Sequence, residues 1–332
     1  IKSIQTLIVT LTLLSAPLAI AQTKPDTDYL KHALEAEQFI ASQQIDVPNG
    51  VIWRTSLESE DVTNRTFYHG SGGITLFYIE LHQSTGQPRF LDLALKAGNE
   101  IVASIPDDGP DTISMYSGIT ADVFVLNELY KYTEEERYLS AAKRSLEKIK
   151  SSSKEIGAGI GWIEQNPFAA YNPANTNVGE MYDLTIGAAG VGELFLYAHR
   201  SGLDSESITW ATKIADRLLE VAEETEDGLR WPMMDNRPAQ YIMPNFSHGP
   251  AGIAYFLADL YSETNKQKYL DAALSATKYV QSRAVKKGDG FLVPHPEQPE
   301  PADLFYLSTC HGPAGTGRLM YILNQITGDE KW

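Results

Sequence analysis

One position in the chain pairs a thiol with an imidazole. Cys310 is the only cysteine in the sequence, and His311 follows it directly. A lone cysteine cannot form an internal disulfide, so its thiol is a buried apolar group, a reactive nucleophile or a metal ligand. The cysteine–histidine pair is therefore the first place in the sequence to look for chemistry.

The Cys310–His311 pair opens one copy of a repeated glycine-rich motif, and His248 opens another. Both copies contain His-Gly-Pro-Ala-Gly, and each copy of the motif precedes an apolar segment of helical length. The five copies begin at Tyr68, Ser117, Ile186, His248 and Cys310. Because one helical hairpin cannot bury its own apolar face, such a repeat predicts stacked hairpins that share a core.

Two kinds of helix alternate along the chain. The amphipathic kind, with apolar residues spaced three or four apart, is predicted at 28–44, 88–104, 137–151, 207–224 and 267–283. The glycine-led apolar kind is predicted at 70–84, 117–131, 187–200, 249–263 and 312–326. Glycine at the start of an apolar helix permits close backbone approach, so these helices suit an inner ring and the amphipathic ones an outer ring.

The predicted fold class is therefore all-α, an α/α toroid of helical hairpins. Five hairpins are visible, of roughly six or seven that a closed ring of stacked repeats would need. The chain ends at Trp332, within a phrase that elsewhere links the two helix types, so we expect the ring to be C-terminally incomplete. Short strands are expected only in the long loops at 153–180 and 285–308.

The N-terminal segment has the pattern of a secretory signal peptide. Lys2 precedes an apolar run from Leu7 to Leu14, and Ala19-Ile20-Ala21 gives a cleavage site of small residues. We expect residues 1–21 to be removed and residues 22–332 to form one toroid domain. The predicted location is secreted or periplasmic.

The charge balance excludes some partners. The chain has 43 acidic and 27 basic residues and a net charge of −16, which repels phosphate backbones and anionic lipid. We therefore expect no nucleic-acid partner, no membrane association after signal cleavage, and a monomer.

Two segments, Ser247–Ile253 and Thr309–Gly315, together with the series of glycine-led helices, resemble the motifs of the lanthionine synthetase C-like family. The resemblance covers roughly residues 28–332. It implies a toroid with a central Zn²⁺ held by a cysteine on one inner helix and a cysteine–histidine pair on the next. It also implies an enzyme that adds a peptide or small-molecule thiol to a dehydroamino acid and so forms a thioether.

Two alignments with the family's zinc ligands remain open. In the favoured one, Cys310 is the first zinc cysteine and the cysteine–histidine pair lies beyond Trp332. In the other, Cys310 and His311 are that pair, and Ser247 stands where the first cysteine would be. In neither alignment does this chain supply three ligands of the family type.

The resemblance also assigns two residues to proton transfer. His248 matches the family's acid/base histidine, and the positive end of its helix favours a neutral imidazole. Asp183 matches an aspartate that precedes an inner helix and could orient a histidine or the substrate. The alternatives are a histidine that only packs at a helix end and an acidic residue that only faces a helix dipole.

Other candidates are less specific. They are His69, His295 and Arg318 as possible cavity residues, and Tyr116 and Trp231 as possible cavity walls. A different function would be that of an exported carbohydrate-active toroid, which needs paired carboxylates. Its candidates are Asp122, Asp183, Glu193 and Asp235. A non-catalytic toroid scaffold is the third alternative.

Overall fold

The structure is a computed structural model. It describes residues 28–58, 60–68, 70–108, 112–165, 178–235, 242–288, 290–295 and 304–332. The predicted signal peptide at 1–21 and the candidate His69 lie outside these residues. Helices dominate the described part of the chain, and no helix there is long and apolar enough to cross a bilayer.

The helices alternate between an inner and an outer ring. In chain order they are α1 (Tyr29–Ser42), α2 (Ser71–Thr85), α3 (Pro88–Ser104), α4 (Ile119–Thr133), α5 (Glu136–Ser152), α6 (Ala188–Arg200), α7 (Ser207–Glu220), α8 (Pro250–Thr264), α9 (Gln267–Arg283) and α10 (Pro313–Thr327). Four antiparallel pairs pack closely, α2 with α3, α4 with α5, α6 with α7, and α8 with α9. The even-numbered helices also contact one another in sequence, from α2 through α10. This arrangement confirms the all-α toroid.

Burial distinguishes the two rings as the hydrophobic pattern predicts. The outer helix α5 buries a single stripe that includes Tyr138, Ala142, Leu146 and Ile149. The inner helix α8, in contrast, buries most of its length. A helix that is apolar on most of its surface needs neighbours on several sides, and the inner ring supplies them.

Short antiparallel hairpins join the helical pairs. They are β1 (Gln44–Val47) with β2 (Gly50–Trp53), β3 (Lys154–Ile156) with β4 (Gly159–Gly161), β5 (Glu164–Gln165) with β6 (Val178–Gly179), β7 (Glu223–Thr225) with β8 (Gly228–Arg230), and β9 (Val285–Lys287) with β10 (Gly290–Leu292). Three of these lie in the two loops where strands were expected. The prediction missed β1–β2 and β7–β8, although Asn49-Gly50 and Asp227-Gly228 are strong hairpin-turn signals.

The loops that precede the inner helices are joined by backbone hydrogen bonds. The residue two positions before each helix-capping glycine donates its N–H to the carbonyl of the equivalent residue in the next repeat. The bonds run from Tyr68 to Tyr116 (3.0 Å), Tyr116 to Thr185 (3.3 Å), Thr185 to Ser247 (3.2 Å) and Ser247 to Cys310 (2.9 Å). We call these five residues the helix-start arc.

The repeated glycines make this arc possible, because a side chain at their positions would overlap neighbouring backbone atoms. A Cβ atom on Gly249 would lie 1.5 Å from the carbonyl oxygen of Met243, and one on Gly252 would lie 2.1 Å from that of Phe246. The φ of Gly249 is −145°, which any residue can adopt, so the requirement is spatial. At these two glycines, α8 therefore starts in tight contact with the loop that leads into it.

This packing predicts opposite effects for two glycine substitutions. Gly252→Ala forces a methyl group against a carbonyl and should lower the free energy of unfolding by about 1–3 kcal/mol. Gly317→Ala, in α10, meets nothing within 4 Å and should raise that free energy by up to about 1 kcal/mol through helix propensity. Urea unfolding followed by circular dichroism measures both. Equal effects of the two changes would contradict the packing argument.

Candidate functional site

The structure brings His248 and Asp183 together. The Nδ1 atom of His248 lies 2.9 Å from Oδ2 of Asp183, although the two residues belong to different repeats. Asp183 is fully buried, and the His248 side chain is 15% exposed. We assign the proton to Nδ1, because a carboxylate accepts and does not donate. That tautomer leaves Nε2 as the nitrogen that accepts a proton.

Asp183 also holds its own turn. Its second oxygen, Oδ1, accepts a hydrogen bond from the Ile186 N–H at 2.7 Å. The equivalent residue of other repeats does the same, as seen for Ser114 with Ser117, Asn245 with His248, and Ser308 with His311. The turn therefore requires a short side chain with an acceptor oxygen. Among these residues Asp183 is the carboxylate, and its second oxygen reaches the histidine of the next repeat.

His311 lies beside His248. The two ring centroids are 5.6 Å apart. Burial lowers the pKa of His311 from its ordinary value of 6.5 to about 4, and the positive charges of His248 and His295 act in the same direction. Its Nδ1 atom is buried without a hydrogen-bond partner. His311 is therefore a neutral imidazole at neutral pH.

Cys310 carries an unpaired thiol at the same place. It is partly exposed, and its backbone carbonyl accepts the last hydrogen bond of the helix-start arc. The arc thus brings Cys310 next to Ser247, and with it His311 next to His248. The first two candidates from the sequence and the proposed acid/base histidine belong to one site.

Two further residues join this site from another loop. The ring centroids of His295 and His311 are 4.4 Å apart. The ring centroid of Tyr306 is 5.1 Å from that of His295 and 5.7 Å from that of His311. His295 had only a weak sequence signal, a histidine between two prolines. Tyr306 was missed, since a tyrosine four residues before a cysteine has no distinguishing pattern.

Two potential metal donors lie side by side. Cys310 carries a thiol, and the Nδ1 atom of the neutral His311 imidazole has no hydrogen-bond partner, which is a state that a metal ligand requires. Within the described ranges, however, no group of three or more His, Cys, Asp or Glu residues is arranged to hold a metal ion.

The carboxylates considered for sugar chemistry lie in separate surroundings. Asp122 is fully buried and accepts a hydrogen bond from Arg65 at 2.7 Å. Glu193 interacts with Asp259, and burial raises the pKa of Glu193 well above its usual range. Burial also raises the pKa of Asp235, which lies near Glu180. These contacts do not join any two of the four candidates.

The remaining candidates have different positions. Tyr116 belongs to the helix-start arc and contacts Phe67 and Tyr68 edge to face. Arg318 is exposed on α10, with its guanidinium 5.6 Å from the Tyr255 ring. Trp231 is not a cavity wall, because it is fully buried and donates its indole N–H to the Leu218 carbonyl at 2.7 Å.

Comparison with known proteins identifies a family. A family model described as lanthionine synthetase C-like protein matches residues 61–332. No curated protein shows significant similarity to the sequence.

Several solved structures share the fold. A nisin cyclase is 16% identical with a TM-score of 0.59, and the match covers 81% of this chain and 66% of that one. A cellobiose 2-epimerase from Bacillus thermoamylovorans is 12% identical with a TM-score of 0.60, covering 91% and 82%. A family 76 mannosidase from Bacteroides thetaiotaomicron is 14% identical with a TM-score of 0.55, covering 91% and 83%. The present chain thus spans 66% of the length of the nisin cyclase.

The lowered pKa of His311 predicts acid sensitivity. Between its ordinary pKa of 6.5 and its folded pKa of about 4, the unfolded chain binds a proton at this residue that the folded chain does not. Its contribution to the free energy of unfolding is therefore complete above pH 6.5 and is lost as the pH falls towards 4.

Urea unfolding across this range should show a shallower pH dependence of the free energy of unfolding for His311→Asn than for the wild type. The control is His32→Asn, since the His32 side chain is 62% exposed. Equal slopes for all three proteins would contradict the prediction.

Proposed function

Because the chain belongs to the lanthionine synthetase C-like family, we propose that it is a zinc-dependent enzyme that adds a thiol to a dehydroamino acid or a similar electrophile. The product is a thioether. The observation that carries this proposal is the His248–Asp183 pair, held beside Cys310 and His311 by the helix-start arc. The solved structures are too distant in sequence to support more than the fold.

The reaction needs a proton to move, and His248 is placed to move it. The thiol sulfur forms a bond to Cβ of the dehydroamino acid while the Cα–Cβ π bond breaks. The electron pair passes through an enolate to Cα, which takes a proton. Overall the thiol hydrogen moves to Cα, so no oxidant or reductant is required. Nε2 of His248 takes the proton from the thiol and delivers it to Cα, and Asp183 stabilises the imidazolium that forms in between.

Cys310 is the metal ligand that we propose. It is a zinc ligand in both alignments with the family, whereas His311 is a ligand in only one. When bound, zinc lowers the pKa of a coordinated substrate thiol and so supplies thiolate at neutral pH. The described residues contain no group of three or more potential ligands.

The proposed substrate is a peptide or small-molecule thiol with its unsaturated acceptor. We also propose that the protein acts outside the cytoplasm, on the basis of the signal-peptide pattern at residues 1–21.

Asp183→Asn tests the proton-transfer pair without breaking the turn. Asn245 shows that an asparagine oxygen can cap the equivalent turn, so the variant should keep its thermal unfolding midpoint close to the wild type. Its amide presents a donor in place of the second carboxylate oxygen and cannot stabilise an imidazolium. The rate of thioether formation, followed by mass spectrometry, should fall by about 10²–10⁴-fold.

The matched control is Asp122→Asn, another fully buried aspartate that pairs with Arg65 away from the site. This control should lose stability and keep its rate per folded molecule. An Asp183→Asn enzyme as active as the wild type would exclude the proposed pair.

Zinc binding has its own test. Zinc bound by the purified protein should depend on the Cys310 thiolate, so Cys310→Ser should bind less zinc than the wild type. His311→Asn separates the two alignments, because it keeps zinc if Cys310 is the first cysteine and loses it if the two residues form the pair. Elemental analysis after gel filtration gives the stoichiometry. Zinc retained at wild-type level by Cys310→Ser would rule out this ligand.

A further inference from the structure

Three imidazoles cluster at the proposed site. The ring centroid of His311 is 5.6 Å from that of His248 and 4.4 Å from that of His295. His295 does not belong to the glycine-led repeat, because it follows β10 rather than opening a helix. The residue is half-buried, and its ring packs against that of His311.

A buried asparagine connects His295 to His248. Asn245 has no solvent exposure. Its Oδ1 accepts a hydrogen bond from the backbone N–H of His248 at 3.1 Å, and its Nδ2 donates one to the backbone carbonyl of His295 at 3.0 Å. A second backbone bond, from the His295 N–H to the Leu304 carbonyl at 2.9 Å, holds the other side of the same residue.

The Asn245 contact is specific to this repeat. Ser114 and Ser308 cap the equivalent turns with a hydroxyl, which shows that the turn itself does not need an amide. The Nδ2 donor is therefore additional to the turn, and its contact is with the backbone of the residue that carries the third imidazole. Burying an amide satisfied on both its oxygen and its nitrogen fixes the relative positions of its two partners.

We infer that His295 is a further substrate-contacting residue of this site and that Asn245 is the residue that positions it. His295 donates an imidazole N–H to the carbonyl oxygen of the unsaturated acceptor. This inference rests on the proposed function for the identity of the acceptor.

The addition reaction creates negative charge that such a donor would stabilise. When the thiol sulfur bonds to Cβ, the electron pair of the broken π bond moves onto the acceptor carbonyl as an enolate oxygen. A preorganised donor at that oxygen stabilises this charge until Cα takes its proton from His248. In this proposal His248 handles the proton and His295 stabilises the developing negative charge.

A binding experiment tests the role of His295. The probe is N-acetyldehydroalanine N-methylamide, observed by ligand NMR with the intact protein. We expect His295→Ala to weaken binding about tenfold, which corresponds to one lost hydrogen bond, and His32→Ala to leave it unchanged. Equal binding by both variants overturns the inference but not the proposed function. A wild-type protein that does not bind the probe contradicts both.

Asn245→Ser tests the positioning. It keeps a hydroxyl cap for His248, as in the Ser114 and Ser308 turns, and removes the donor to His295. We expect it to weaken probe binding as much as His295→Ala, and the double variant to bind no more weakly than either single one. Additive losses would show that Asn245 acts by another route.

A second readout does not depend on the probe. The wild-type protein should show nuclear Overhauser contacts between the ring protons of His295 and His311, and Asn245→Ser should lose them while keeping its thermal unfolding midpoint. Contacts that persist in Asn245→Ser overturn the positioning role.

Discussion

Four backbone hydrogen bonds link the loops that lead into the inner helices, and the proposed site depends on them. Each bond joins equivalent residues of successive repeats, from Tyr68 through Cys310. Because the bonds are between main-chain groups, they leave the side chains at these positions to vary. The glycines of the repeat permit the close approach, since at Gly249 and Gly252 a methyl group would overlap a carbonyl oxygen. The repeated sequence is therefore a packing requirement before it is a functional signature.

One side chain of the proposed site serves both the turn and the contact with His248. The turn before each inner helix needs one short acceptor side chain, and three different residue types meet that need. An aspartate at position 183 caps its turn with one oxygen and orients His248 with the other. The same carboxylate therefore makes both a helix-start contact and a contact with a histidine of the next repeat, and its catalytic role stays a prediction.

The sequence predicted the helices well because their signals are local. Hydrophobic spacing of three or four residues gave α5, and the glycine-led starts gave α8 and α10 within a few residues. The shared His-Gly-Pro-Ala-Gly motif also predicted that His248 and His311 hold equivalent places in the repeat. The sequence could not predict the contact between Asp183 and His248, because the pairing of neighbouring turns is set by the arc of backbone bonds. His295 reaches the site through Asn245, a contact that no pattern around either residue announces. Trp231, a possible cavity wall from the sequence, belongs to the core, where aromatic residues most often lie.

The most direct test of the account is the rate of thioether formation between a small thiol and N-acetyldehydroalanine N-methylamide with the purified protein. Liquid chromatography with mass spectrometry measures the product. The account predicts a rate well above that of the uncatalysed mixture, and a loss of about 10²–10⁴-fold in His248→Gln with the fold retained. A wild-type rate equal to the uncatalysed one, or a His248→Gln protein as active as the wild type, would contradict it.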